Sequence, residues 1–258
     1  MTAQAIILAA GRGERMRPLT DTCPKPLLRV RGKPLMQWPL EALARGGFGK
    51  VVVNTAWLGE QVSAAFGNEI VLQPASYNNS SLLIKERLTI LYSHEGRDFG
   101  SALETAGGIV RALPLLDDVF WVLAGDVFSP EFSFTHAAVE CFRQSGKLAH
   151  IWLVPNPAHH QNGDFGLSAN GLALNLAAGA CGQKYTYSTI GLYRSALFAP
   201  PYCGIPPGNP QGIKAALAPL LRTAMDNGWV SAEIYTDGWT DVGTPQRLAS
   251  LNENWLCG

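Results

Sequence analysis

Within about thirty residues the chain passes from an apolar strand into a cationic loop, and that passage constrains everything downstream. Ala5-Ile6-Ile7-Leu8-Ala9-Ala10 is apolar and short enough for one buried strand. It empties into Gly11-Arg12-Gly13-Glu14-Arg15-Met16-Arg17-Pro18-Leu19-Thr20, and Pro24-Lys25-Pro26-Leu27-Leu28 follows closely. Glycines let a backbone approach a bulky anion, and bare N–H groups at a strand-to-helix turn bind phosphate oxygens. Arg12, Arg15, Arg17 and Lys25 bring the charge that a polyphosphate needs. The segment therefore reads as a nucleoside triphosphate site. Lys25, stiffened between two prolines, suits a fixed electrostatic contact, and Arg17 reads as peripheral.

Two better-known phosphate loops do not fit. No Lys-Ser or Lys-Thr follows the glycines, as a Walker A loop requires. A dinucleotide fingerprint needs a third glycine where Met16 stands, and an acidic residue about 20 positions on for a ribose hydroxyl. The next apolar strand, Val51-Val52-Val53, ends instead in Asn54-Thr55.

The rest of the chain alternates apolar strands with amphipathic segments. Helices are predicted over 34–46, 61–66, 105–113 and 132–146, and strands over 51–53, 70–72, 89–92, 119–123 and 149–154. This rhythm predicts an α/β fold: a doubly wound, largely parallel, Rossmann-like sheet with helices on both faces. With 258 residues and 47% apolar content, residues 1–258 are expected to form a single domain. Ligands of such sheets sit beyond the carboxyl ends of the strands, where the phosphate loop, Asn54 and Asp126 fall. A formal charge of zero argues against nucleic-acid or membrane-surface partners. The five cysteines form no Cys-x-x-Cys, and Met1-Thr2-Ala3-Gln4 lacks the cationic flank of a signal peptide, so a reducing, cytoplasmic location is expected. The stretch from Gln73 to Arg87, rich in turn formers, reads as a surface excursion.

Several longer words then stand out. Leu8-Ala9-Ala10-Gly11-x-Gly13-x-Arg15-Met16-x-Pro18-Leu19-Thr20 with Pro24-Lys25-Pro26-Leu27 resembles the signature of the sugar-1-phosphate nucleotidyltransferases. Asn54-x-Ala56-Trp57-Leu58-Gly59, Leu103-Glu104-Thr105-x-Gly107-Gly108, Asn156-Pro157-x-His159-His160-x-x-Gly163-Asp164-Phe165 and Trp239-x-Asp241-Val242-Gly243-Thr244 are similar to the bacterial N-acetylmuramate-1-phosphate uridylyltransferases of cell-wall recycling. The resemblance implies transfer of a nucleoside monophosphate from a nucleoside triphosphate, preferably UTP, to an α-sugar-1-phosphate, with release of pyrophosphate. It implies catalytic roles for Arg15 and Lys25, and magnesium held by Asp126 and Asp241. Nucleotide contacts fall to Leu8, Ala9, Ala10, Gly11, Gly13, Asn54, Glu104 and Gly107; sugar contacts fall to Thr105, Asn156 and Asp164. Competing readings are a mannose- or heptose-1-phosphate guanylyltransferase and a catalytically silent sugar-nucleotide sensor. Adjacent side chains point apart, so His159 and His160 are not expected to share a metal. Thr189 departs from the subgroup pattern, which has a glycine after the serine.

Overall fold

In the computed structural model, residues 3–72, 87–177, 179 and 182–256 are described. The excursion expected over 73–87 lies outside them, except that Arg87 opens a strand. The first half of the chain runs β1 (Ala3–Ala9), α1 (Leu19–Thr22), β2 (Arg29–Val30), β3 (Lys33–Pro34), α2 (Gln37–Arg45), β4 (Lys50–Thr55), α3 (Gly59–Phe66), β5 (Glu69–Val71), β6 (Arg87–His94), α4 (Glu95–Phe99), α5 (Glu104–Ala112) and β7 (Leu116–Ala124). Then follow β8 (Val127–Phe128), α6 (His136–Gln144), β9 (Ala149–Val154), β10 (Phe165–Leu167), β11 (Ala173–Leu174), β12 (Lys184–Arg194), α7 (Leu217–Asp226), β13 (Val230–Ile234), β14 (Thr240–Asp241) and α8 (Pro245–Leu256).

The centre of the sheet is parallel, in the order β7-β1-β4-β6. β1, β4 and β7 are buried on both faces over most of their length, which is why each carries an apolar run; β6, nearer the edge, alternates buried Leu88 and Ile90 with partly exposed Thr89 and Leu91. Along β1 the side chains alternate: Ile6 joins one core layer, Ala5 and Ile7 the other. Val52 and Val53 divide in the same way, as do Val122 and Trp121. Ile109 of α5 and Leu221 of α7 cover the first layer; Leu40 of α2 and Val139 of α6 cover the second. The sheet is therefore doubly wound, as its rhythm predicted. At roughly 1.5–3 kcal/mol per fully buried large apolar side chain, these two layers are the main source of stability.

The carboxyl-terminal half adds antiparallel pairs. β12 runs antiparallel to both β7 and β9, and the β10–β11 hairpin continues from its edge. No helix lies between β9 and β12 among the described residues, and a parallel return would need a crossover of a dozen or more residues.

The chain steps outward from β1 to β4 and β6, then crosses back to place β7 on the other side of β1. That reversal is the topological switch point, where open α/β sheets bind ligands. A small third core lies beside it. Met16 of the cationic loop packs there with Phe128 and Val242, which flank Asp126 and Asp241 on the β8–β14 ribbon.

Candidate active site

A cavity of about 560 Å³ opens at the switch point. Leu8, Ala9, Ala10 and Gly11 form one wall, Ala124, Gly125 and Asp126 another, and Glu104 with Thr105 a third. On the far side stand Asp164, Phe165, Tyr187, Thr189, Leu221 and Arg222.

The two loop glycines do different things. A Cβ at Gly11 would meet nothing within 4 Å of protein, so its bareness serves no packing and leaves the cavity wall open to a ligand. Gly13 has φ 66°, a conformation that favours glycine, and a Cβ there would meet Thr20 Cγ2 at 3.0 Å. The Thr20 hydroxyl donates to the Gly13 carbonyl at 2.8 Å, so Gly13 closes the loop on itself and does not line the cavity. Arg12 stacks over Trp57 at 3.6 Å and donates to the Thr20 carbonyl and to Asp21, and Arg17 pairs with Asp21 as well. Both hold the loop rigid. Arg15 is exposed and lines no wall of the cavity. Lys25 is only 8% exposed, lines the cavity, and reaches Asp126 Oδ2 at 2.5 Å.

Asn54 borders the cavity, yet its polar atoms are spent inside the protein. Its Oδ1 accepts from Ala9 N–H at 2.7 Å and its Nδ2 donates to Glu95 Oε1 at 2.6 Å. Glu95, fully buried, also accepts from Leu103 N–H at 2.7 Å. This chain ties the ends of β1 and β4 to the turn before α5, and so spaces two walls of the cavity. Burial pushes the Glu95 carboxyl upward, against the pull of the hydrogen bonds from Leu103 and Asn54. Gly108 makes room for it, since a Cβ there would meet Glu95 Oε1 at 2.5 Å. Gly107 faces away: a Cβ would strike the Ile213 carbonyl at 2.5 Å, and the residue does not line the cavity. Asn54 therefore braces the wall it lines, and Gly107 packs away from the cavity. Both partners of Glu95 are donors, so Glu95→Gln sets an amide NH₂ against one of them. The substitution is expected to cost about 1–3 kcal/mol of stability and to raise KM for the nucleotide, read by thermal unfolding and steady-state kinetics. Unchanged unfolding would refute this bracing role.

Glu104 has φ 60°, is exposed, and carries a carboxylate with no partner among the described residues. A non-glycine residue held in that region marks strain kept by its surroundings, and here it faces the cavity beside Thr105.

Asp126 and Asp241 come together through the two-residue β8–β14 ribbon. Asp241 pairs with Val127 across the strands, and Val242 N–H donates to the Asp126 carbonyl at 2.9 Å. Each carboxylate is matched by a cation: Lys25 on Asp126, Arg247 on Asp241. His159 Nε2 lies 3.0 Å from Asp241 Oδ1, while His160 Nε2 lies 3.1 Å from Asp164 Oδ1, so the adjacent histidines do point apart. Among the described residues no cluster of three or more His, Cys, Asp or Glu could hold a metal. Two carboxylates fit magnesium nonetheless, because it is commonly held by one or two carboxylates together with substrate phosphates and water.

Asp164 Oδ2 accepts from Tyr187 N–H at 2.9 Å, which fixes the far wall. The Tyr187 phenol bonds to that of Tyr193 at 2.7 Å, and burial drives it well above its ordinary range, so it stays neutral. Asn156 is not on the cavity wall; it donates to the Gln161 and Lys184 carbonyls and accepts from Thr186, bracing its own loop. Thr189 sits in the cavity with φ 64°, at an irregularity of β12.

Comparison with known proteins places the chain in a family. A profile of the family described as "Nucleotidyl transferase" matches residues 4–176. The N-acetylmuramate alpha-1-phosphate uridylyltransferase of Neisseria meningitidis serogroup B is 43% identical over 251 residues, 95% of each chain. That of Caulobacter vibrioides is 28% identical over 254 residues, 95% of this chain and 94% of its own. Among solved structures, one named for a glucose-1-phosphate thymidylyltransferase from Bacillus anthracis superposes with TM-score 0.72 at 19% identity, covering 98% of this chain and 94% of its own. The inositol-1-phosphate CTP transferase of T. maritima gives 0.65 at 17% identity, over 100% and 99%. These two likenesses concern the fold.

Proposed function

The chain belongs to the nucleotidyl transferase family, and from that premise we propose that it transfers uridine monophosphate from UTP to N-acetylmuramate-1-phosphate. The observation that carries this reading is the convergence of Lys25, Asp126 and the open backbone of Gly11 on one cavity, with Asp241 paired to the Asp126 segment. The choice of sugar and base draws on the 43% identical relative.

A sugar phosphate oxygen attacks the α-phosphorus of UTP, a new P–O bond forms, and the bond to the β-phosphate breaks with release of pyrophosphate. Both reactants are anions, so catalysis rests on in-line positioning and on neutralising charge. Leu8, Ala9, Ala10 and Gly11 frame the nucleotide at the carboxyl end of β1, and Glu104 offers a free acceptor to base or ribose. Lys25, with little freedom to move, meets the charge that develops on the phosphates. Arg15, outside the wall, is placed for a phosphate that projects from the cavity. Thr105 and Asp164 face the acceptor sugar. Magnesium, which Asp126 and Asp241 would hold, supplies Lewis-acid neutralisation of the triphosphate. A nucleotide substrate also fits a cytoplasmic location; among the described residues no helix is long and apolar enough to cross a membrane.

UTP is expected to outperform GTP by at least roughly tenfold in specificity constant with N-acetylmuramate-1-phosphate, because a site that hydrogen-bonds one base leaves buried groups unpaired with another. Competition between the two in one pyrophosphate-release assay checks it. A preference for GTP with mannose-1-phosphate would instead make the protein a guanylyltransferase. A folded protein that binds UTP without turning over any sugar phosphate would make it a sensor.

A further inference from the structure

One cation that lines the cavity has no acidic partner among the described residues. Arg222 projects from α7 into the far wall, near Leu221 and Phe165 and across from the phosphate loop. Its guanidinium carbon lies 5.1 Å over the Phe165 ring. Its Nη1 donates to Asn175 Oδ1 at 2.6 Å. Asn175 in turn donates through Nδ2 to both carboxylate oxygens of Asp226, at 3.0 and 3.2 Å. Those two hydrogen bonds from Nδ2 leave the amide oxygen of Asn175 facing the guanidinium. Among the described residues no carboxylate pairs with Arg222. An arginine in a half-apolar wall, aligned by an amide and an aromatic face yet left without an anion, is a prepared site for one.

We infer that Arg222 is a specificity-determining residue that binds a carboxylate carried on the sugar ring of the acceptor. The inference rests on the reading under Proposed function. N-acetylmuramate differs from N-acetylglucosamine by a lactyl ether that bears a carboxylate, so the two acceptors share the anomeric phosphate and the N-acetylated ring and differ in this group alone. Asn175 and Asp226 act through Arg222 as positioning residues. A guanidinium offers parallel donors that match the two oxygens of a carboxylate, which a lysine ammonium cannot do. A sugar lacking the acid would leave this cation desolvated and unpaired, so Arg222 both attracts the charged acceptor and disfavours the neutral one.

The test measures specificity constants of the parent, Arg222→Met, Arg222→Lys and Asn175→Ser for N-acetylmuramate-1-phosphate and N-acetylglucosamine-1-phosphate at saturating UTP. The parent is expected to prefer the muramate. In Arg222→Met the ratio of the two constants falls at least roughly tenfold, mainly through KM of the muramate, while KM for UTP holds. Arg222→Lys recovers part of the ratio, and Asn175→Ser lowers it less than Arg222→Met. If the parent prefers the muramate and Arg222→Met keeps that preference, the substrate reading stands and the Arg222 assignment is overturned. An equal loss on both acceptors also overturns it, since that is what general damage to the wall would do. If the parent prefers N-acetylglucosamine-1-phosphate, the substrate reading fails and the carboxylate site falls with it. Should Arg222→Met not fold, the lysine and Asn175 variants decide by the same ratio.

Discussion

Asp126→Asn and Asp241→Asn are each expected to lose at least ~100-fold in turnover, the scale of removing one preorganised electrostatic contact at a developing charge. The two residues sit more than a hundred positions apart, yet the β8–β14 ribbon sets them side by side, and Met16 clamps that ribbon against the cationic loop. An amide keeps the size and removes the charge that a divalent cation needs. The fold should tolerate the change: the Asp126 side chain is 39% exposed, so water screens the loss of its pair with Lys25, and Asp241 is partly exposed as well. Turnover is read by pyrophosphate release over a magnesium titration, with thermal unfolding as the control. A folded variant that keeps near-parental turnover in magnesium removes that residue from the metal pair. Chelation with EDTA should silence the parent, and full activity after chelation would remove the metal requirement itself.

How much of this was legible in the sequence differs by element. The central strands were, because burial on both faces leaves an apolar run that nothing else in a polar loop imitates. The antiparallel direction of Lys184–Arg194 is not legible in its sequence, because direction depends on the absence of a crossover helix and not on the strand's own residues. In the site, the loop from Gly11 to Lys25 stands out in the sequence by glycine and cation together. Residues that brace the cavity do not separate in the sequence from residues that line it. Asn54, Gly107, Gly13 and Asn156 sit in the same motifs as Gly11 and Asp164, but their hydrogen bonds or close contacts turn inward. Glu95 carries no signal in the sequence: in Ser93-His94-Glu95-Gly96 it looks like a surface turn, and its burial exists only once Asn54, Leu103 and Gly108 surround it. Arg222 is illegible for the same reason, as one cation on an amphipathic helix. Thr189 was visible as a departure from the glycine of the subgroup, and its φ of 64° supplies the physical meaning. A β-branched side chain in that region costs on the order of 1–2 kcal/mol, which the packing around the cavity must offset.

Lys25→Ala is expected to lower turnover by roughly 100-fold at saturating UTP, with a much smaller change in KM for UTP. Pro24 and Pro26 restrict the backbone on either side, the side chain is 10% exposed, and its Nζ rests 2.5 Å from Asp126. A cation held this way contributes most when charge peaks on the phosphates in transit, because it need not reorganise to meet it. If raising UTP restores the parental rate, Lys25 serves binding alone. The contact with Asp126 raises a sharper question, since the alanine variant could act by freeing that carboxylate. The double variant Lys25→Ala/Asp126→Asn separates the two routes. Independent roles predict losses that multiply, whereas a lysine that works only by orienting Asp126 predicts a double variant no slower than Asp126→Asn. The cavity geometry favours multiplication, because Lys25 lines the wall beside Gly11 in its own right.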